Sequence, residues 1–339
     1  MAYSAPFSDR PLASKAIAYM NQDSNFIADL VAPPTSVNAE ESESGSWRGE
    51  YVTFDRRELF GDADSTDPSK SYRAPGAATQ IISSYDSSLS QVTFEEHAQK
   101  LLVPQERQKY ASVDVRAVKI RRLLQNCLIR RERDAATTLF TGANYDAALR
   151  ETLGAAARLD ATGVQPVAKF QEWIFKVQKE SGLTPNVAIF GSKVAESAVN
   201  GFGGNMRGGG IEWNQNVNLE SLANMLGLDR IYVGKASYNS ANFGQAITAS
   251  HIWTNTSMCL LYMPPELMSR GRGDVMGVDQ VFAPYFCYRF LPRGAGTAGL
   301  YVDRWYDNDR HGDWHRVRDL SKITQVSSIT GYHVTTAVS

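Results

Sequence analysis

The chain has 339 residues, with 35 Lys and Arg against 36 Asp and Glu and a formal net charge of −1 at pH 7. This length exceeds the size at which one hydrophobic core usually stops growing, so two domains are the default expectation. The near-neutral charge argues against a protein whose main activity is to coat nucleic acid, because such proteins carry a basic excess.

Neither a membrane segment nor an export signal is expected. The longest uncharged apolar run, residues 258–263, is far shorter than the roughly 20 residues of a membrane-spanning helix. The N-terminus has no basic segment followed by an apolar core. Cys127, Cys259 and Cys287 lie in apolar surroundings without metal-type or redox-type spacing, so we expect reduced cysteines in the core of a cytosolic product.

The first ninety residues do not resemble an independent domain. Residues 1–45 combine scattered prolines, one short helical pattern and a polar run, which predicts an N-terminal arm. Residues 47–60 and 80–85 favour strands and flank a stretch rich in Asp, Ser and Gly, which predicts a β-hairpin within 46–91. An isolated hairpin of two strands is marginally stable in water, so this one must lie on another surface.

A long amphipathic helix is predicted next, within residues 105–141. Apolar residues recur three to four positions apart from 113 to 140, the spacing that aligns them on one helix face. Such a helix is more than twice as long as the globular mean of about 11 to 12 residues. Its many arginines outnumber its acidic residues, and Arg131 interrupts the apolar stripe. One long side is therefore expected to meet solvent, a partner or a polyanion.

Short strands alternate with helices between 163 and 263, which predicts a compact α/β domain. The expected helices include 194–199 and 219–226, and the expected strands are 187–190, 231–233 and 258–263. From residue 281 the pattern is mostly β. Its predicted strands are 281–291, 300–306 and 314–320, followed by a last strand pair, 323–329 with 332–338.

Several strings, taken in order, resemble the major capsid proteins of tailed bacteriophages, which share the Hong Kong 97-type fold. These strings are FIADLVAP at 26–33, YRAPG at 72–76, ERDAA at 132–136, PNVAIFG at 185–191, LANMLGL at 222–228, VGKA at 233–236, HIW at 251–253 and GYHV at 331–334. Each string is a short apolar phrase of low specificity. Their joint order spans nearly the whole chain, and it is this order that carries the resemblance.

The resemblance implies an α+β Hong Kong 97-type capsid fold. Residues 1–45 then correspond to the N-terminal arm and 46–91 to the extended loop that lies across a neighbouring subunit. The peripheral domain comprises 92–160 and 266–320, with its spine helix at 105–141. The axial domain comprises 161–265 and 321–339.

The implied function is structural and has no catalytic step. Many copies assemble as pentamers and hexamers into an icosahedral or elongated head shell around double-stranded DNA, which they contact non-specifically. Portal and scaffolding proteins are partners expected from the family, decoration proteins are a further possible partner, and assembly takes place in the host bacterial cytoplasm. An encapsulin-like nanocompartment shell is the alternative with the same fold, and an α/β enzyme is a third hypothesis that no residue pattern supports.

Charged residues on the hairpin and the spine are the candidates for contacts between subunits, because complementary charge fixes register between identical copies. The candidates are Arg56, Arg57, Glu58, Lys70, Arg121, Arg122, Arg130, Arg131 and Arg133. The competing interpretation is a solvated face, since exposed ion pairs contribute little. Lys70 is also placed where a donor for a Lys-to-Asn cross-link between subunits could lie, but no partner Asn or catalytic Glu is identified.

No catalytic, cofactor or metal site is predicted. One group of acidic and histidine residues between 303 and 315 has ligand chemistry, but its spacing fits no calcium loop. Asp307, Asn308 and Asp309 followed by Gly312 are more simply a β-turn whose side chains cap their own backbone. None of the five histidines has a sequence neighbour that suggests a catalytic base.

Overall fold

In the computed structural model of the chain, the described residues are 23–41, 47–53, 72–73, 75, 88–109, 111, 114–202, 219–242, 244–269, 284–293 and 299–339. The helices are α1 (Ala28–Val31), α2 (Gln105–Lys109), α3 (Val115–Leu139), α4 (Pro166–Ser181), α5 (Ser192–Val199), α6 (Leu219–Leu226) and α7 (Pro265–Met268). The strands are β1 (Pro34–Val37), β2 (Ala39–Glu41), β3 (Trp47–Thr53), β4 (Ser88–Phe94), β5 (Glu96–Pro104), β6 (Arg150–Thr152), β7 (Val187–Gly191), β8 (Arg230–Gly234), β9 (Ser237–Asn239), β10 (Ala249–His251), β11 (Met258–Leu261), β12 (Cys287–Pro292), β13 (Leu300–Asp307), β14 (Gly312–Leu320), β15 (Lys322–Gln325) and β16 (Gly331–Thr335). Short 3-10 helices lie at Asp23–Asn25, Gly142–Asn144, Ala147–Leu149 and Ala155–Ala157. Within these ranges, no helix combines the length and apolarity that crossing a membrane requires.

A five-stranded mixed sheet in the order β6-β16-β11-β7-β8 separates two hydrophobic cores. Its middle strands β7 and β11 are buried along their whole length. Because successive side chains of a strand point to opposite faces, both faces of the sheet must be covered. Ala188 and Phe190 belong to the first core, whereas Val187 and Ile189 belong to the second core on the other face.

Helices α4, α5 and α6 supply the first core. Helix α4 starts with Pro166, whose missing N–H would be unpaired at that position anyway. It ends at Gly182, where a φ of 72° gives the left-handed C-cap that glycine adopts without strain. Its buried stripe of Phe170, Trp173 and Val177 follows the spacing seen in the sequence. The predicted helix 219–226 and the strands at 187–190, 231–233 and 258–263 are confirmed to within two residues.

The second core joins parts of the chain that are far apart in sequence. It contains the N-terminal segment around α1, the C-terminal half of α3 and the three-stranded sheet β1-β12-β15. It also holds Cys259 and Cys287, and all three cysteines of the chain are buried and free, as predicted. Since this core draws on Leu139 and Cys259, it includes residues of both predicted domains. The domain limits stay predictions.

The long helix is shorter than the sequence pattern predicts. Instead of one helix over 105–141, the structure has α2 and then α3, which starts after Asp114. The Asp114 carboxylate accepts hydrogen bonds from the backbone N–H groups of Arg116 and Ala117. An N-cap of this kind fixes the start of a helix. The N-terminal half of α3 lies on the antiparallel sheet β13-β14-β5, where Leu123 and Cys127 pack with Val317.

Strands occur in each of the predicted late segments, but β12, β15 and β16 are shorter than predicted, and the last two do not pair with each other. Strand β15 pairs with β12, and β16 pairs with β11 and β6. The prediction of a terminal strand pair is therefore wrong. The physical reason is that the buried apolar strands β11 and β12 each need a hydrogen-bonded neighbour along the edge. Each of them pairs with one of the two C-terminal strands.

The predicted hairpin is present at its base as the ribbon β2-β3-β4. Strand β3 pairs with β4, whereas the predicted second strand at 80–85 lies outside the described residues. The ribbon packs on the second core through Tyr51, whose ring stacks on Phe290 with 4.8 Å between centroids. Gly49 is required at the base, since a Cβ there would lie 2.6 Å from Val37. The ribbon therefore lies on another surface, as expected.

Candidate assembly surfaces

The outer face of the ribbon ends in an exposed apolar pair. Val52 of β3 and Leu89 of β4 lie directly opposite each other, with 51 % and 67 % of their surfaces exposed. Nearer the base the outer face is polar, and Gln91 donates a hydrogen bond to Glu50. Exposed apolar side chains grouped together mark contact sites more often than isolated ones do. This pair makes the distal part of the ribbon a candidate contact surface.

Four residues of the hairpin are predicted to make contacts between subunits. Arg56, Arg57, Glu58 and Lys70 follow β3 in the chain and lie outside the described residues. Their role between subunits stays a prediction.

The solvent side of α3 carries the selected spine residues Arg121, Arg122 and Arg133, all exposed. Val118 lies on the same helix and is also exposed. The guanidinium of Arg133 lies 4.7 Å from the centre of the Tyr238 ring, so it joins α3 to the hairpin β9-β10 within one subunit. Arg121 and Arg122 stay candidates for contacts with another copy.

Arg131 is buried and Arg130 is partly buried, and both bind Asp319 within the subunit. Arg131 is 2 % exposed, and its Nε and Nη2 atoms each donate to the Asp319 carboxylate at 2.9 Å. Arg130 donates to the same carboxylate and to Asp134. Burial by itself raises the pKa of Asp319, but the hydrogen bonds and charges of the two arginines outweigh it and hold that pKa below its usual range. These arginines tie the long helix to the end of β14, and whether either also touches a neighbour stays a prediction.

A third surface is the face of the sheet β13-β14-β5 that points away from α3. Trp305 and Trp314 stack with 6.2 Å between their ring centres. Lys100 lies over the Trp314 ring and Arg316 over the Trp305 ring, at 4.7 and 5.5 Å. Asp303 pairs with Arg316 at 2.8 Å. Trp and Arg are enriched among the residues that dominate protein interfaces, so this face has the composition of a contact surface.

Within the acidic and histidine group at 303–315, the predicted turn links β13 to β14 after Asp307. Asp307 accepts hydrogen bonds from the backbone N–H groups of Asp309 and Arg310, which is the expected capping of the turn. Asp313 is shared by Arg116 and Arg304, at 3.3 and 2.8 Å. Across the described residues, no group of three or more His, Cys, Asp or Glu is arranged to hold a metal ion.

Sequence reasoning missed three acidic residues at the junction of α1, α3 and β14. Asp29 lies 3.2 Å from Arg289, Asp319 holds the two arginines of α3, and Glu132 is fully buried. The one available signal was the charged pair Arg131 and Glu132 inside an apolar stripe. A charge at such a position is rare unless it is paired, so it indicates a buried partner.

No protein-family model and no curated protein matches the chain. Solved structures do match it along almost its whole length. A phage-related protein from Bordetella bronchiseptica RB50 has a TM-score of 0.66 at 17 % identity, covering 94 % of both chains. The capsid of the cyanophage P-SCSP1u has a TM-score of 0.54 at 11 % identity, covering 98 % of this chain and 94 % of its own. The capsid of a native GTA particle has a TM-score of 0.54 at 10 % identity, covering 99 % and 98 %. These similarities confirm the α+β Hong Kong 97-type capsid fold.

Proposed function

We propose that the chain is the major capsid protein of a tailed bacteriophage. Copies of it assemble as pentamers and hexamers into a shell that encloses double-stranded DNA. The observation that carries this proposal is the match to capsid structures over 98 % and 99 % of the chain. A fold shared over such a length supports a shared mode of assembly.

The exposed surfaces support an assembling protein. Covering Val52 and Leu89 would be favourable in free energy, because it removes apolar surface from water. Each subunit of a closed shell has several neighbours that could cover this pair. In a closed shell the later contacts become effectively intramolecular, so individually weak contacts suffice. The ribbon surface and the Trp305 and Trp314 surface are proposed as parts of these contacts.

Charge is proposed to set the register between copies. Arg121 and Arg122 on α3, with Arg56, Arg57 and Glu58 on the hairpin, are the selected residues. Complementary charge at an interface selects orientation and partner more than it adds affinity. Reversing Arg121 and Arg122 to Glu is expected to reduce the yield of closed particles several-fold while leaving the unfolding midpoint unchanged.

The proposed mechanism has no catalytic step and needs no cofactor. Among the described residues, the buried carboxylates of Asp319 and Glu132 are bound to arginines, backbone amides or an indole within the subunit. Portal and scaffolding proteins are proposed partners, decoration proteins a further possible class, and the host bacterial cytoplasm is the proposed place of assembly.

The test is negative-stain electron microscopy of the purified protein, expressed alone and then with its candidate scaffold. Closed particles or six-fold rings are the expected result. A compact monomer under every condition, with residues 1–45 and 46–91 protected from protease, would contradict a shell function. Particles that enclose a protein cargo and never DNA when produced in the presence of the packaging machinery would support the encapsulin-like alternative instead.

A further inference from the structure

Glu132 is a buried carboxylate that binds two distant parts of the chain at once. It lies within α3 and has no exposed surface. Its Oε2 atom accepts hydrogen bonds from the backbone N–H groups of Ala28, at 2.9 Å, and Ile27, at 3.1 Å. Its Oε1 atom accepts from the same N–H of Ile27 at 3.0 Å and from the indole Nε1 of Trp253 at 2.7 Å.

The first pair of donors belongs to the N-terminal segment. Helix α1 starts at Ala28, and its N-cap residue Ile27 has no side chain that could bind the free amides. The Glu132 carboxylate, 104 residues further along the chain, supplies the missing acceptor. Carboxylates are favoured at helix N-termini because they satisfy N–H groups that have no partner within the helix. Glu132 is therefore the cap of α1.

The third donor belongs to the loop between β10 and β11. Trp253 is fully buried, and its ring fills the space beside Gly234 of β8, where a Cβ would lie 2.2 Å from the indole. The same ring meets Phe140 edge to face at 5.1 Å. The position of Trp253 is thus fixed by the five-stranded sheet and the end of α3, not by the N-terminal segment alone.

The two sets of donors depend on each other through the carboxylate. A buried charge is tolerated only while its hydrogen bonds are made, and burial disfavours the charged form of Glu132 even with these donors present. If the Trp253 indole no longer donates to Glu132, the backbone N–H groups of Ile27 and Ala28 bind a carboxylate that has one donor fewer and is less firmly positioned. If those N–H groups are lost, the indole in turn binds a less firmly positioned carboxylate.

We propose that Glu132 couples the N-terminal segment to the five-stranded sheet, so that release of α1 loosens the Trp253 loop and loosening of that loop releases α1. Glu132 acts in this as a positioning residue. The consequence for assembly rests on the proposed shell function: α1 lies within the arm, residues 1–45, so a neighbour that held or released the arm would change how firmly the Trp253 loop is held. The coupling itself is a property of the single subunit.

Amide hydrogen exchange on the full-length, unassembled chain tests the proposal. The reporters for α1 are the amides of Leu30, Val31 and Ala32, which bond to the carbonyls of Ile27 and Ala28. Trp253→Phe is expected to speed exchange at these amides by about 5- to 150-fold, the usual range of coupling between sites. In a Glu132→Gln background the same substitution should add nothing, because the coupling residue is already lost.

Trp173→Phe is the matched control. Trp173 is also fully buried and also donates its indole N–H to a carboxylate, that of Glu151, at 3.0 Å, but it belongs to the first core. In this variant, exchange at Leu30, Val31 and Ala32 should rise no more than its loss of overall stability accounts for. A merely structural role of Trp253 predicts that both tryptophan variants act alike.

Additive effects of Trp253→Phe and Glu132→Gln at the α1 amides would overturn the coupling, as would an unchanged α1 in the Trp253 variant. Should Trp253→Phe fail to fold, Glu132→Asp replaces it, since it keeps the charge and shortens the side chain by one methylene. Exchange at α1 and at the Ile252 amide, which bonds to Ala236, must then rise together. Because no shell is needed, a failure of assembly would count against the proposed function and leave this result standing.

Discussion

His333 gives the sharpest test of how burial in this fold acts on a titratable group. It lies on β16 and is 2 % exposed, with its ring stacked on Tyr145 at 5.3 Å and tilted against Phe140 at 6.2 Å. Among the described residues, its Nε2 atom has no hydrogen-bond partner. Burial lowers the pKa of His333 to about 4, from the ordinary value of 6.5. Acid must therefore place a charge in a desolvated aromatic site.

The sign and size of the effect follow from the two pKa values. Because the folded state binds this proton more weakly than the unfolded chain does, the stability that a neutral His333 contributes is fully present above about pH 6.5. It is lost as the pH falls toward 4. Each pKa unit is worth about 1.4 kcal/mol, so the interval from 6.5 to about 4 corresponds to a loss of about 3 kcal/mol.

The measurement is urea unfolding of the wild type and of His333→Phe, followed by far-UV circular dichroism at several pH values between 7 and 4. Phe keeps the aromatic packing and cannot take up a proton, so the variant should gain about 3 kcal/mol relative to the wild type over this range. His251→Phe, at an exposed histidine of β10, is the control and should follow the wild-type curve. Parallel curves for wild type and His333→Phe would refute the reasoning.

Three further outcomes are expected. Asp319→Asn should cost about 3 to 5 kcal/mol in urea unfolding at pH 7, because it leaves the buried guanidinium of Arg131 without its carboxylate. Gly234→Ala should cost about 1 to 3 kcal/mol in the same assay, since its Cβ would lie 2.2 Å from the indole of Trp253. Leu89→Asp should leave the free energy of unfolding within about 0.5 kcal/mol of wild type, as exposed substitutions do, yet reduce the yield of closed particles in electron microscopy.

Each of these outcomes has a control or a contrary result. Asp309→Asn changes an exposed carboxylate of the turn and should cost little, so an equal cost at Asp309 and Asp319 would contradict the buried pair. At Gly154 a Cβ meets no atom within 4 Å, so Ala there should be tolerated. Unchanged particle yield in Leu89→Asp would remove the ribbon end from the proposed contacts.

The elements that the sequence predicted well are those whose pattern is local. Helices α4 and α6 show a complete apolar stripe with a start or stop residue, and β7 and β11 are short runs buried on both faces. Periodicity and caps are read within a few residues, and no distant partner is needed to see them. The Asp307 turn was predicted for the same reason, since its side chain binds amides two and three residues away.

What the sequence did not show depends on contacts across long separations. Strands β15 and β16 have strand patterns in the sequence. Their partners β12 and β11 depend on which strand edges lack a neighbour in the folded sheets, and no local pattern shows this. The break between α2 and α3 was missed because the predicted helix was extended back to residue 105, although the apolar spacing begins only at 113 and 105–109 are all polar. Arg131 was read with the surface arginines of α3, since nothing near it in sequence indicates that Asp319 will lie beside it.

The buried charges explain why the N-terminal segment docks at one place on the subunit. Asp29 of α1 meets Arg289 of β12, and Glu132 of α3 caps the same short helix. Buried charges add little net stability, but an unpaired one is costly, so the segment is favoured only where all these partners are present together. Because Arg289 and Asp319 lie in the C-terminal part of the chain, the segment cannot dock fully until that part has been synthesised and folded. Docking of this segment is therefore expected to be one of the last steps in the folding of the chain.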